Sequence, residues 1–286
     1  TADYVCKHPL IFSSEARSVI PKDFSQEQIE QQKLMLVNMD PPHHQKYRRI
    51  ARNAFTPNAV EAYRMVFETY AVEIVDAVAN KGECEFISEV AAELPLMAIL
   101  DLCGVPKEDR SKFFVWTNEM FFQDDEDIGG EDGELKAQMA SANIYMYASE
   151  LARKHAESPL NNIVGALLDG KVNDEKLTED EFSAFFLMLI AAGNESTRSV
   201  TAHGMRLLME HPKQLQKLID NPDLIEGACE EMLRYNTAFT ATTRPRRGNH
   251  RSIPGPAFWG RSYPHRAVDI ERGDSAACLA PSGPLA

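Results

Sequence analysis

The 286-residue chain has no run of eighteen apolar residues, so its sequence offers no membrane span. Its five cysteines, at 6, 84, 103, 229 and 278, form no Cys-x-x-Cys pair. That sets aside a disulfide framework and fits a reduced, cytoplasmic compartment. Basic charge is in short supply, with 30 Lys+Arg against 43 Asp+Glu and a net of −13. Such a surface argues against non-specific nucleic-acid binding. Thr1 is not a start methionine and no signal peptide precedes it, so the N-terminus is expected to be cut. Lysine is missing altogether from residues 245–286, although thirteen precede them. The same stretch holds six arginines, three acids and six of the sixteen prolines, with no helical or alternating pattern. The expected organisation is one domain over 1–244 and an aberrant tail over 245–286, disordered or read out of frame from GC-rich coding DNA. At 44% hydrophobic and 26% charged, the chain as a whole reads as soluble and globular.

What is present centres on residues 178–212. Thr178 and Glu181 form a capping box. Phe182, Phe185, Phe186 and Leu189 then fall at i, i+3, i+4 and i+7, while Leu187, Met188 and Ile190 make this half apolar on most sides. Pro212 ends the run, giving a helix of roughly 50 Å. Its middle departs from the pattern. Ala192-Gly193-Asn194-Glu195-Ser196-Thr197 puts a glycine, a carboxylate and two hydroxyls inside a buried helix. A core acid is costly unless paired or needed, and hydroxyls can bond helix carbonyls and bend the helix. The segment reads either as a polar seam between helices or as a groove for a flat ligand, with an acid and an alcohol beside it for proton delivery.

Two further stretches stand out. Asp40-Pro41-Pro42-His43-His44-Gln45-Lys46-Tyr47-Arg48 stops one element and starts another. His44 and Arg48 share a helix face and suit a carboxylate, although a solvated basic face would look the same. Glu231 and Arg234 stand at i, i+3 in an apolar helix beginning at Leu224; alone they are an ordinary surface pair. The remaining segments read as helices: a stripe from Val60 to Val78 capped at Thr56-Pro57, a helix from Phe86 to Leu102 kinked at Pro95, and two more flanking an acidic loop at 123–134. Cys103 and Cys229 read as structural.

The Ala-Gly-x-Glu-Ser/Thr segment, Asp-Pro-Pro-x-His-x-x-x-Arg and Glu-x-x-Arg, in this order, resemble the cytochrome P450 family of haem-thiolate monooxygenases. The resemblance covers residues 3–244. It implies a mainly α fold, the helical part of that architecture, with the central helix over a haem b site. It places Ala192 and Gly193 against the cofactor, Glu195 as the proton-relaying acid, and Ser196 or Thr197 as the alcohol beside it. His44, Arg48 and Arg244 would hold the haem propionates, and Glu231 with Arg234 would form an internal ion-pair scaffold. Electrons would come from NAD(P)H through a ferredoxin reductase and a ferredoxin docking on Lys46, Arg49 and Arg52. The wording Ala-Gly-Asn-Glu-Ser-Thr-Arg resembles bacterial enzymes that hydroxylate steroid side chains and lipids, which implies a lipophilic substrate.

One part of the family pattern is missing. No Phe-x-x-Gly-x-x-x-Cys-x-Gly loop follows Arg244, and Cys278 lacks the flanking glycines, so no metal ligand is assigned. The implied activity is insertion of one oxygen atom into a C–H bond. The alternative is a non-catalytic, truncated helical remnant. An unrelated helical interaction module would need three motifs in the right order by accident.

Overall fold

The computed structural model describes residues 2–20, 24–52, 55–56, 61–123, 129–172, 174–235 and 244. The tail expected at 245–286 and the cap at Pro57 lie outside them. The fold is mainly α, and an isolated β-bridge pairs Val172 with Glu175. In chain order the helices are α1 (Ala2–Lys7), α2 (Gln26–Gln32), α3 (His43–Arg52), α4 (Arg64–Ala79), α5 (Glu93–Leu102), α6 (Arg110–Phe121), α7 (Gly133–Glu157), α8 (Ile163–Asp169), α9 (Glu179–Glu210), α10 (Pro212–Asp220) and α11 (Ile225–Tyr235). They fall into two compact units. One holds the described residues of Thr1–Glu195 and Ala241–Trp259, the other those of Ser196–Thr240 and Gly260–Ala286.

The first unit carries the main core. The N-terminal half of α9 supplies Phe182, Phe185, Phe186, Leu187 and Ile190, all buried, as expected of a helix apolar on most sides. Its start is the predicted capping box: Thr178 N donates to Glu181 Oε2 at 2.8 Å, and Glu181 N to Thr178 Oγ1 at 3.2 Å. Phe113 of α6 sits fully buried at the centre. It meets Tyr147 of α7 edge-on at 5.0 Å between ring centroids and Phe186 of α9 at 6.3 Å. Polar contacts register the helices around it. Ser149 and Ser183 share a hydrogen bond of 3.2 Å between α7 and α9, and Tyr145 donates to Asp180 Oδ1 at 2.8 Å. The nearly buried His155 ring accepts from Leu160 N on Nδ1 at 3.0 Å and sets Nε2 3.2 Å from Asp169.

One boundary differs from expectation. The helix predicted from Phe86 to Leu102 is broken at Ala92, where five residues of wider π-helix, Ile87–Ala91, give way to α5. Pro95 therefore lies in the first turn of α5, where its missing N–H has no helical acceptor to lose, and it does not act as a mid-helix kink.

The second unit contains the C-terminal half of α9 with α10 and α11. Its small core joins Leu218 and Ala228 to Leu208, Leu224 and Met232. Gly204 of α9 lets α11 come close, since a Cβ there would lie 2.6 Å from Met232 Sδ.

Candidate functional site

The first cluster is built on α3. Asp40 lies just before the helix and is buried. Its carboxylate accepts from Ser14 N at 2.9 Å and Ser13 Oγ at 2.5 Å, while its carbonyl accepts from His44 N at 3.1 Å. These bonds tie the 13–14 segment to the base of α3. Tyr47, Ile50 and Ala51 form the buried face of the helix. At about 100° per residue, His44 and Arg48 stand some 40° apart on the adjoining flank.

Arg244 comes to this flank from far along the chain. Arg48 and Arg244 both act on the His44 imidazole, which is held below its ordinary value of 6.5 first by burial, then by these two guanidinium charges, against a smaller opposing pull from Asp40. Neither arginine forms a salt bridge with a carboxylate among the described residues. The charges of Arg48 and Arg244 thus both act on one imidazole. The arrangement suits a ligand with one or two carboxylates. Arg48, Arg49 and Arg52 are exposed, and Lys46 is engaged by Glu175 at 2.5 Å.

The second group lies at the middle of α9, which stays helical throughout the segment that breaks its apolar pattern. Gly193 is where a neighbour approaches the backbone. That neighbour is Ile99 of α5, whose Cγ1 and Cδ1 would lie 3.0 and 3.1 Å from an added Cβ. Ala192, next to it, is exposed. Asn194 is 2% exposed and its Oδ1 meets no hydrogen-bond donor. Glu195 and Ser196 are half-buried and Thr197 is exposed. Ala192 and Ser196, four residues apart, share one face of α9. The hydroxyl that back-bonds in this region is Thr201, to the Thr197 carbonyl at 2.8 Å.

In the second unit, Arg234 Nε and Nη2 grip the Glu231 carboxylate at 2.5 and 2.6 Å. The glutamate side chain is 11% exposed and the arginine 41%, so the acid is the covered partner. The cysteines divide unevenly. Cys103 is fully buried and its thiol is pushed up to about 12 by that burial. Cys6, Cys84 and Cys229 are exposed, and Cys278 lies outside the described residues. Cys229 is therefore not the packed structural residue its helix suggests, because α11 turns Ala228 and Met232 inward and the next position along faces solvent.

Sequence reasoning missed one contributor: Ile99 covers Gly193. The Tyr47 phenol of α3 is held above its ordinary value, first by burial and then by the Glu181 carboxylate.

No family model matches the chain. It is 39% identical over 248 residues to the steroid C26-monooxygenase of Mycobacterium tuberculosis, a match spanning 84% of this chain and 55% of that protein. It is 34% identical over 236 residues to the methyl-branched lipid omega-hydroxylase of the same organism, spanning 81% and 54%. Its fold matches a Mycobacterium marinum cytochrome P450 in complex with pseudoionone at a TM-score of 0.74 and 28% identity, over 82% of this chain and 57% of that one. The chain spans about half the length of the curated relatives it matches.

Proposed function

We propose a function from a plain premise: the chain belongs to the cytochrome P450 family. It is read as part of a haem-dependent monooxygenase that inserts one oxygen atom into a C–H bond of a steroid or lipid. The observation that carries this is the gathering of His44, Arg48 and Arg244 in one place. Two guanidinium groups that form no ion pair among the described residues, beside a half-buried imidazole, fit the paired propionates of a haem.

In this reading His44, Arg48 and Arg244 bind and orient the propionates through charge-assisted bonds. Ala192, exposed on α9, offers a small surface for the flat ring, while Gly193 is occupied by Ile99. Glu195 holds a proton and Ser196 passes it toward the ring face, with Thr197 the alternative hydroxyl. Haem, when bound, supplies oxygen activation at iron. Electrons arrive from NAD(P)H through a ferredoxin reductase and a ferredoxin, for which Arg49 and Arg52 offer exposed positive charge. Among the described residues no helix is long and apolar enough to cross a membrane.

A second reading rests on the cysteines. The buried Cys103 keeps its proton and lies in the core, and no other described cysteine belongs to the His44 cluster. A haem bound by this chain through propionates alone would lack a thiolate ligand, and the chain would then be non-catalytic. Titrating the 286-residue chain with haemin tests both readings. Saturable binding weakened at least tenfold by Arg48→Gln with Arg244→Gln supports the propionate site, and binding indifferent to both substitutions ends it. A thiolate-type spectrum of the reduced carbon monoxide complex supports the monooxygenase, and its absence from a haem-bound chain supports the remnant.

A further inference from the structure

The loop 13–19 lies at the base of α3 with little apolar surface of its own to hold it there. Its buried residues are Ser13, Ser14, Ser18 and Val19, three hydroxyls to one apolar side chain, while Ala16 and Arg17 at its tip are exposed. Buried hydroxyls stabilise a fold only through the partners they find. Here the partners are two buried side chains just ahead of α3, Asp40 and Asn38, one for each end of the loop.

The Asp40 carbonyl accepts from His44 N, so Asp40 stands at the cap of α3. A cap carboxylate ordinarily takes an N–H from the second or third position of its own helix. Pro42 stands at the second and has none to give. The two carboxylate oxygens accept from the loop, Oδ2 from Ser13 Oγ and Oδ1 from Ser14 N. Glu15 Oε1 adds a return contact, accepting from Asp40 N at 3.3 Å.

Asn38 holds the other end. Its Oδ1 accepts from Val19 N at 2.9 Å and from Ser18 Oγ at 3.4 Å, while its Nδ2 donates to the Gln32 carbonyl at 3.2 Å. Ser18 between them sits at φ 146°, a backbone angle that suits glycine and is costly for serine. Such a residue keeps its conformation only while its surroundings impose it. The loop is thus clamped at both ends against a tendency to relax, and one of the clamps belongs to α3.

We propose that Asp40 is a positioning residue that couples loop 13–19 to the carboxylate-binding flank of α3. With Ser13 and Ser14 on its side chain and His44 on its carbonyl, it makes the closed loop and the ordered first turn of the helix one unit. The proposal rests on the carboxylate reading given above. A carboxylate bound by His44 and Arg48, one turn apart, ties the first two turns of α3 together. By reciprocity it steadies the loop, and a loosened loop weakens the carboxylate.

Two measurements on the 286-residue chain test it. Trypsin cuts after the exposed Arg17 when the buried Ser18 beside it comes free, so the rate of that cut, read against the cut at Lys81, follows the opening of the loop. Ser13→Ala removes one bond of the clasp without touching α3 and should speed the cut about fivefold. Asp40→Ala should speed it further. Asp40→Asn keeps an acceptor for Ser14 N and a partner for Ser13 Oγ, and should stay near the wild-type rate. Wild-type rates in both Ser13→Ala and Asp40→Ala overturn the proposal. At equal occupancy, zinc protoporphyrin IX should slow the wild-type cut about fivefold and its dimethyl ester, which lacks both carboxylates, less than about twofold. Ser13→Ala should in turn weaken binding of the acid about threefold and of the ester less than about twofold. Bound acid that leaves the cut unslowed, or equal weakening of acid and ester, would make the clasp merely structural and overturn the proposal.

The second measurement needs no ligand. The His44 amide donates to the Asp40 carbonyl, so its NMR signal should move in Ser13→Ala, while that of Arg52 at the far end of α3 stays in place. An unmoved His44 signal overturns the proposal. If wild type binds acid and ester alike, or neither, the carboxylate reading fails instead, and the His44 signal alone decides whether Asp40 joins the loop to the helix.

Discussion

Ile99 closes over Gly193, so that the bare backbone of the central helix is covered by a stiff β-branched side chain from α5. A methyl group at Gly193 would meet Ile99 Cγ1 at 3.0 Å. Ile99 is itself 5% exposed and has little room to give. Gly193→Ala gains roughly 1 kcal/mol of helix propensity and loses about 1–3 kcal/mol to overpacking. The expected net is a loss of about 1 kcal/mol in denaturant unfolding. In an Ile99→Ala background the methyl finds space and the sign reverses. Additive effects of the two substitutions would show that the contact is not the cause.

The His44 cluster sets a pH dependence. His44 is held below 6.5 in the fold, so between its folded and unfolded values the unfolded chain binds more protons. Its contribution is fully present above 6.5 and is lost as pH falls toward the depressed folded value. Unfolding curves between pH 5 and about 7 should therefore show stability rising with pH. His44→Gln should flatten that rise, and Arg48→Gln or Arg244→Gln should shrink it by letting the imidazole titrate closer to normal. A wild-type slope retained in His44→Gln would assign the effect to another group.

Arg49 and Arg52 are exposed on an otherwise acidic chain. If they receive an acidic electron donor, Arg49→Glu with Arg52→Glu should slow reduction by a ferredoxin about tenfold or more at low salt. The difference should fade as ionic strength rises, because exposed charges are screened within about 10 Å at 0.1 M. Reduction at an unchanged rate, with unchanged salt dependence, would remove these residues from the docking surface.

Arg234 and Glu231 are unequal partners. Removing the half-exposed arginine strands a nearly covered carboxylate, whereas removing both does not. Arg234→Ala should cost about 1–2 kcal/mol, discounted for the partial exposure of the pair. Glu231→Ala with Arg234→Ala should recover part of that loss. A double variant no more stable than Arg234→Ala alone would mean the pair contributes only packing.

What the sequence made legible was local. The central helix could be read because its cap and its apolar spacing lie within a few residues of each other: Thr178 to Glu181, then Phe182 to Leu189. The α4 stripe from Tyr63 through Tyr70 and Ile74 to Val78 was visible for the same reason, and those positions do turn inward. The α5 boundary was misread because Pro95 looks like a mid-helix break until the wider turn before it ends at Ala91 and α5 starts at Glu93. Cys229 was misjudged because one step along a short amphipathic helix swings a residue from core to solvent. Ile99 on Gly193 joins residues 94 positions apart, and no local pattern encodes such a pair. Arg244 was reached only by likeness to a family, and its approach to His44 depends on the chain returning to the first unit.

The clasp at the base of α3 has a consequence on a slower clock. Ser14 N–H is one of few amides in the irregular 8–20 stretch given to a buried carboxylate, and both residues are 3% exposed or less. In deuterium oxide its proton should outlast those of its neighbours by orders of magnitude, leaving only when Asp40 lets go. A single slow amide near the start of the chain would then time how often the footing of α3 comes apart. Haemin or a porphyrin acid that locks α3 should slow it further without touching it.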